Sequence, residues 1–282
     1  MRVTVLAENK AMGGVRCAHG LSLFIETGDR SLLFDFGPDG DLLAENAAAL
    51  GVDLSRADAA FLSHGHADHA GGLETFLRLN RRAPVYVHPL AFAPHYSRRR
   101  EGMKDISADA SLPERYPGRI VPTGDLYAVD DSITLFTPGV AQEPVPASNT
   151  SLYVREGEEL VPDPFLHEQD MLLREGDTLV LFGGCAHRGI LNILRRAEEL
   201  AGRSPDAVFS GFHLTNPGLG GCEPEDTVRA LARRLAALPC LCYTGHCTGE
   251  EPFRVLREAL GDRVRYMGCG LRFTLPEGRD RA

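Results

Sequence analysis

Short apolar runs broken by turn residues dominate the first third of the chain. VTVLAE (3–8), LSLFIETG (21–28) and SLLFDFG (31–37) read as strands, the last two joined by a tight turn at Gly28-Asp29-Arg30. DLLAENAAALG (41–51) has helical spacing, with Asp41 as the expected N-cap and Gly51 at its end. The strand AAFLS (59–63) runs straight into SHGHADHAGG and a second helix, GGLETFLRLN (71–80). PVYVH (84–88) is a further strand opened by proline.

Two stretches lose this regularity: a charged one near 92–117 and a proline-rich one near 138–167. Irregular segments of that length inside a compact domain are usually functional lids or flexible excursions, and both read as lid-like. The regular pattern resumes with the hairpin MLLREGDTLVLFGG (171–184). Helix and strand then alternate through GILNILRRAEELAG, AVFSGF, EDTVRALARRLAAL, CLCYTG, EPFRVLREAL and VRYMG. No Gly/Ser or Pro linker separates the halves, so residues 1–282 are expected to form one mixed α/β domain.

Composition narrows the function. A net charge of −9 opposes general affinity for nucleic acid or anionic membrane, because both need a positive field. No stretch approaches the roughly 18 apolar residues that span a bilayer, and the first residues carry no signal-peptide core. Seven scattered cysteines do not suggest a disulfide framework, which points to a reducing cytoplasm.

The strongest chemical signal is His64-Gly65-His66-Ala67-Asp68-His69. Three imidazoles and a carboxylate within six residues are the ligand types that borderline cations such as zinc select. His64 and His66 leave the strand on one side, toward one metal, while Asp68 and His69 open the following helix and face a neighbouring position. Gly65, Gly71 and Gly72 allow tight turning and close packing beside them. His187 and His246 each follow an apolar strand that ends in glycine, where a side chain can reach into a shared edge cleft. A rival cluster, Cys240, Cys242, His246 and Cys247, lacks the turn that paired thiolates need, and its cysteines read as core residues.

HGHADH resembles the HxHxDH signature of the metallo-β-lactamase superfamily. HGLSLFIE, LLFDFG, VYVHP, PDPFLHEQ, GGCAHRGILNI, GFHL and GHCTG extend the resemblance along nearly the whole chain. They are similar to a branch that includes an archaeal enzyme joining a dihydropterin diphosphate to a ribofuranosylaminobenzene phosphate, together with metal-dependent hydrolases. The resemblance implies a four-layer αββα sandwich of two mixed sheets. It also implies a first metal held by His64, His66 and His187 and a second by Asp68, His69 and His246. The cofactor is then one or two Zn2+ ions per chain, with Fe or Mn as substitutes. Many members carry an Asp or Cys bridging both metals, from the strand between the last two histidines. Here that strand leads to His213, a possible metal or substrate contact. His19, Arg99 and Lys104 are expected near the substrate, the cations meeting a phosphate.

A divalent cation lowers the pKa of bound water from about 15.7 toward about 7, and Asp68 is expected to orient that water as well as to ligate. Three functions remain open: a hydrolase acting on an ester or phosphoester of a small molecule, a transferase forming a C–N bond between a pterin and an arylamine, and a non-catalytic ligand-binding protein on the same fold.

Overall fold

The computed structural model describes residues 1–276. The apolar runs become strands of two seven-stranded sheets. The first sheet has the order Arg272–Thr274, Arg2–Ala7, Ser22–Glu26, Ser31–Phe34, Ala59–Leu62, Val85–Val87, Ile120–Pro122. Its neighbours are antiparallel as far as Ser31–Phe34 and parallel beyond it. The second has the order Val264–Tyr266, Leu241–Thr244, Ala207–Phe209, Thr178–Phe182, Asp170–Glu175, Ile133–Phe136, Leu126–Ala128. Here the first four strands are parallel and the rest antiparallel.

Three apolar layers hold four structural layers together. Val3, Leu23, Phe34 and Phe61 of the first sheet meet Leu135, Met171, Phe182 and Phe209 of the second in a central core. Phe34 and Phe182 face each other across it at 6.1 Å between ring centroids. The outer face of the first sheet is covered by the helices Gly40–Ala49 and Leu73–Leu79, through Leu43, Ala47, Leu73 and Phe76. The outer face of the second is covered by Ile190–Ala201, Glu225–Ala236 and Glu250–Leu260, through Ile193, Val228 and Leu256. The strands of a sheet buried on both faces are apolar on both, which explains why these runs are continuous rather than alternating. The αββα sandwich follows directly.

Two local expectations are corrected. The first helix begins at Gly40, and Asp39, not Asp41, caps it by accepting from the Leu42 amide. The segments near 92–117 and 138–167 are irregular only in part. His95–Arg99, Gly102–Asp105, Leu152–Glu156 and Glu159–Pro162 form a third, four-stranded antiparallel sheet. Its strands are largely polar and exposed, so no apolar alternation announced them. The sheet is tied to the histidine loop by backbone bonds from Ala67 to Ile106 and from Ala108 to Gly65. Cys240 and Cys242 lie in the core under the second sheet's helices, as their spacing predicted. No helix among the described residues is long and apolar enough to cross a membrane.

Candidate metal centre

In open α/β sheets, ligands gather beyond the carboxyl ends of the parallel strands. In this chain each parallel strand that reaches the central edge ends in a polar residue of the site. Ser31–Phe34 delivers Asp35, Ala59–Leu62 delivers Ser63 and His64, and Thr178–Phe182 delivers Cys185 and His187. Ala207–Phe209 leads to His213, and Leu241–Thr244 leads to His246. Backbone turns in the left-handed region at Asp35, Ala186, His213 and His246 end these strands abruptly.

The histidines converge. The rings of His64, His66 and His187 lie 4.6–5.0 Å apart, centroid to centroid. His69 Nε2 is 3.2 Å from His246 Nε2, and His246 Nε2 is 3.4 Å from an Asp68 oxygen. The six side chains gather in one place, with the His64 ring also 4.2 Å from that of His69, so the two sets adjoin.

Their outer nitrogens are fixed in one pattern. His64 Nδ1 faces Ser63 Oγ at 2.8 Å, and that hydroxyl donates to Asp35 at 2.7 Å, so the imidazole is the donor to Ser63. His69 Nδ1 donates to Asp35 at 2.7 Å, His187 Nδ1 to Asn149 Oδ1 at 3.0 Å and His246 Nδ1 to Asn9 Oδ1 at 2.8 Å. In all four rings Nε2 is the nitrogen left facing inward, the arrangement that outer hydrogen bonds impose on metal-ligating histidines. The Nε2 atoms of His64, His66 and His187 are buried with no hydrogen-bond partner. Orphaned buried acceptors are costly unless a ligand satisfies them.

Electrostatics agree with that chemistry. Burial, reinforced by the neighbouring imidazoles, pushes His64 and His187 well below the ordinary histidine range, and burial does the same to His66. All three are neutral donors. Burial opposes ionisation of Asp68, but His69, His19 and His246 hold its carboxyl well below the usual carboxylate range. For His69, burial opposes the charge while Asp35 and Asp68 push the imidazole up to about 9. Three neutral imidazoles in one group and a carboxylate with two imidazoles in the other are a donor set that fits zinc or another borderline divalent cation.

The 162–169 string forms the back wall. Asp163 accepts from His95 Nδ1 at 3.0 Å, His167 Nε2 at 3.2 Å and the Phe165 amide at 2.7 Å. His167 Nδ1 in turn accepts the Gly65 amide at 3.0 Å, which holds the loop between His64 and His66. Glu168 accepts the amides of His187 and Arg188 at 2.6 and 2.8 Å, and burial pushes its carboxyl up to about 7. Phe165 stacks on the His187 ring at 4.3 Å. Close approach demands glycine at two points: a Cβ on Gly65 would lie 2.0 Å from the Ala91 carbonyl, and one on Gly184 would lie 2.2 Å from Ser63 Oγ.

A cavity of about 380 Å³ opens over this centre, lined by His66, Asp68, His187 and His246 together with His19, Arg99, Lys104 and His213. His19 Nε2 is 3.1 Å from Asp68. The ring of His213 is 4.1 Å from that of His187, and both its nitrogens are buried without a partner. His64 and His69 do not line the cavity but pack behind His66 and His246, which do. Asp35, Asn9, Asn149 and Cys185 were not singled out. The one signal for Asp35 is a carboxylate closing the apolar run SLLF.

Comparison with known proteins agrees with this architecture. The metallo-β-lactamase superfamily model matches residues 15–154. The chain is 27% identical over 266 residues to the 7,8-dihydropterin-6-methyl-4-(β-D-ribofuranosyl)-aminobenzene-5'-phosphate synthase of Methanocaldococcus jannaschii, covering 89% of this chain and 88% of that one. The crystal structure of Tm1679, a metal-dependent hydrolase of the β-lactamase superfamily, superposes with a TM-score of 0.81 at 27% identity. That match covers 98% of this chain and 99% of Tm1679. Zn2+-bound PqqB from Methylobacterium extorquens shares the fold at 16% identity and a TM-score of 0.58, with 98% and 100% coverage. The chain belongs to the metallo-β-lactamase superfamily. Within it, the chain is an enzyme of the metallohydrolase or related transferase class.

Proposed function

We propose that this protein is a metal-dependent hydrolase that cleaves an ester or phosphoester bond in a small, anionic molecule. The observation that carries this reading is the set of inward-facing Nε2 atoms on His64, His69, His187 and His246, each ring locked from outside. His64, His66 and His187 would hold one cation, and Asp68, His69 and His246 a second, with zinc favoured by the nitrogen-rich donor set. A divalent cation there would acidify bound water and polarise a substrate oxygen.

The chain's own groups supply the rest. Asp68, ionised and half-buried in the cavity wall, would orient the attacking water while ligating the second cation. His19, bonded to Asp68, orients that carboxylate. Arg99 and Lys104 line the same cavity and would pair with a phosphate on the substrate. His213 would contact substrate or complete the metal shell. Fe or Mn would substitute for zinc. All seven cysteines are free, in keeping with a reducing cytoplasm.

A second reading rests on similarity along most of the chain to the archaeal synthase. On that reading the cavity takes a dihydropterin diphosphate and an arylamine, and the reaction forms a C–N bond. Zinc-loaded protein incubated with a dihydropterin diphosphate, with and without an arylamine, separates the two by mass spectrometry of the products. A coupled product absent from His66→Ala would replace the hydrolase reading with the transferase one. Turnover of phosphoesters without coupling supports the hydrolase.

A further inference from the structure

The two histidine groups are joined by one side chain that lies outside the expected ligand set. The donor atoms of His64, His187 and Cys185 all lie within 4.8 Å of one another, and so do those of His69, His246 and Cys185. Among the described residues, Cys185 is the one side chain that belongs to both groups. Its Sγ is 3.2 Å from His69 Nε2, one of the inward-facing nitrogens. It is buried, and it follows Gly183-Gly184, where the missing side chain at 184 lets the strand end press against Ser63 and His64. The left-handed turn at Ala186 then separates it from His187. The unpartnered Nε2 atoms of His64 and His187 share this space with the sulfur.

We infer that Cys185, just beyond the strand Thr178–Phe182, is a metal ligand placed between the two histidine groups, where its thiolate would offer sulfur to the cations those groups would hold. The inference rests on the metal centre proposed above and adds a seventh donor to it. It also accounts for the strand Ala207–Phe209, which leads to His213 and brings no carboxylate between the groups. Coordination replaces the S–H bond by a bond from sulfur to metal, and the proton leaves to solvent. Cys247 is the alternative sulfur. It groups with Cys185 and His213 but with neither histidine pair.

X-ray absorption at the zinc edge of the zinc-loaded protein tests this without any substitution. The expected spectrum contains a sulfur shell near ~2.3 Å beside nitrogen and oxygen at ~2.0–2.1 Å. Zinc bound with nitrogen and oxygen alone overturns the sulfur ligand and leaves the histidine centre standing. Failure to bind zinc at all removes both. Cys185→Ser is expected to lose the sulfur shell while keeping zinc, and Cys247→Ala to keep both. A sulfur shell that survives Cys185→Ser and vanishes in Cys247→Ala contradicts the assignment.

Discussion

His69 Nδ1 lies 2.7 Å from an oxygen of Asp35, and neither side chain is reached by solvent. Asp35 also accepts the amide and hydroxyl of Ser63, each at 2.7 Å, so one buried carboxylate fixes the loop before His64 and the ring of His69 together. Such outer partners typically contribute 10–100-fold to metal affinity. Asp35→Asn, which keeps the shape but loses the charge, is expected to weaken binding at the His69 position by roughly that factor. Competition against a chromophoric chelator measures it, and an unchanged affinity would count against Asp35 as an orienting group.

Asp163 organises the other side. His167 and His95 hold its carboxyl far below the usual range although burial opposes ionisation. A carboxylate depressed in the folded state stabilises the protein above its unfolded pKa of about 4 and loses that contribution as pH falls further. Asp163→Asn is therefore expected to cost about 1.5–3 kcal/mol at neutral pH, the usual contribution of a hydrogen bond to a charged group. The gap to the wild type should stay level from pH 7 to 5 and narrow below pH ~4. Denaturant unfolding at several pH values checks both features. A gap that widens on acidification has the wrong sign.

The strands and outer helices of the two large sheets were legible because both sheet faces are buried, which writes long apolar runs into the sequence. The six candidate ligands were legible because four of them lie in six consecutive residues and the other two follow glycine-ended strands. The small sheet was not, since His95–Arg99 and Gly102–Asp105 are mostly polar and gain their pairing only in three dimensions. Asn9, Asn149 and Cys185 were hidden for a related reason. Asn9 reaches His246 across 237 positions of chain, and no local pattern records such a contact. The N-cap shifted from Asp41 to Asp39 because two acids compete at one helix start and only the earlier one has the extended backbone that a cap requires.

Arg99 and Lys104 line the same cavity as His66, Asp68, His187 and His246. If they grip a phosphate, Arg99→Ala removes a charge-assisted bond that contributes roughly 1.5–3 kcal/mol. That corresponds to a rise in KM of about 10–100-fold for phosphorylated substrates with kcat little changed. A non-phosphorylated ester of the same leaving group should be unaffected. Equal losses on both substrates would assign Arg99 a structural role.

Gly65 sits between the two leading histidines, and a methyl there would meet the Ala91 carbonyl at 2.0 Å. Backbone cannot yield as a flexible side chain does, so Gly65→Ala is expected to destabilise by about 1–3 kcal/mol. It should lower metal occupancy as well, because the same loop carries His64 and His66. A thermal melt with metal analysis on the same sample reads both, and a variant with normal stability and occupancy would contradict the packing argument.

The central claim is that the converging imidazoles form a metal centre. Elemental analysis of protein purified without chelator, then dialysed against zinc, tests it most directly. One to two equivalents of zinc, iron or manganese per chain are expected, falling sharply in His64→Ala and His187→Ala variants that keep their folded circular dichroism. Protein that carries no metal even after reconstitution would contradict the account at its root.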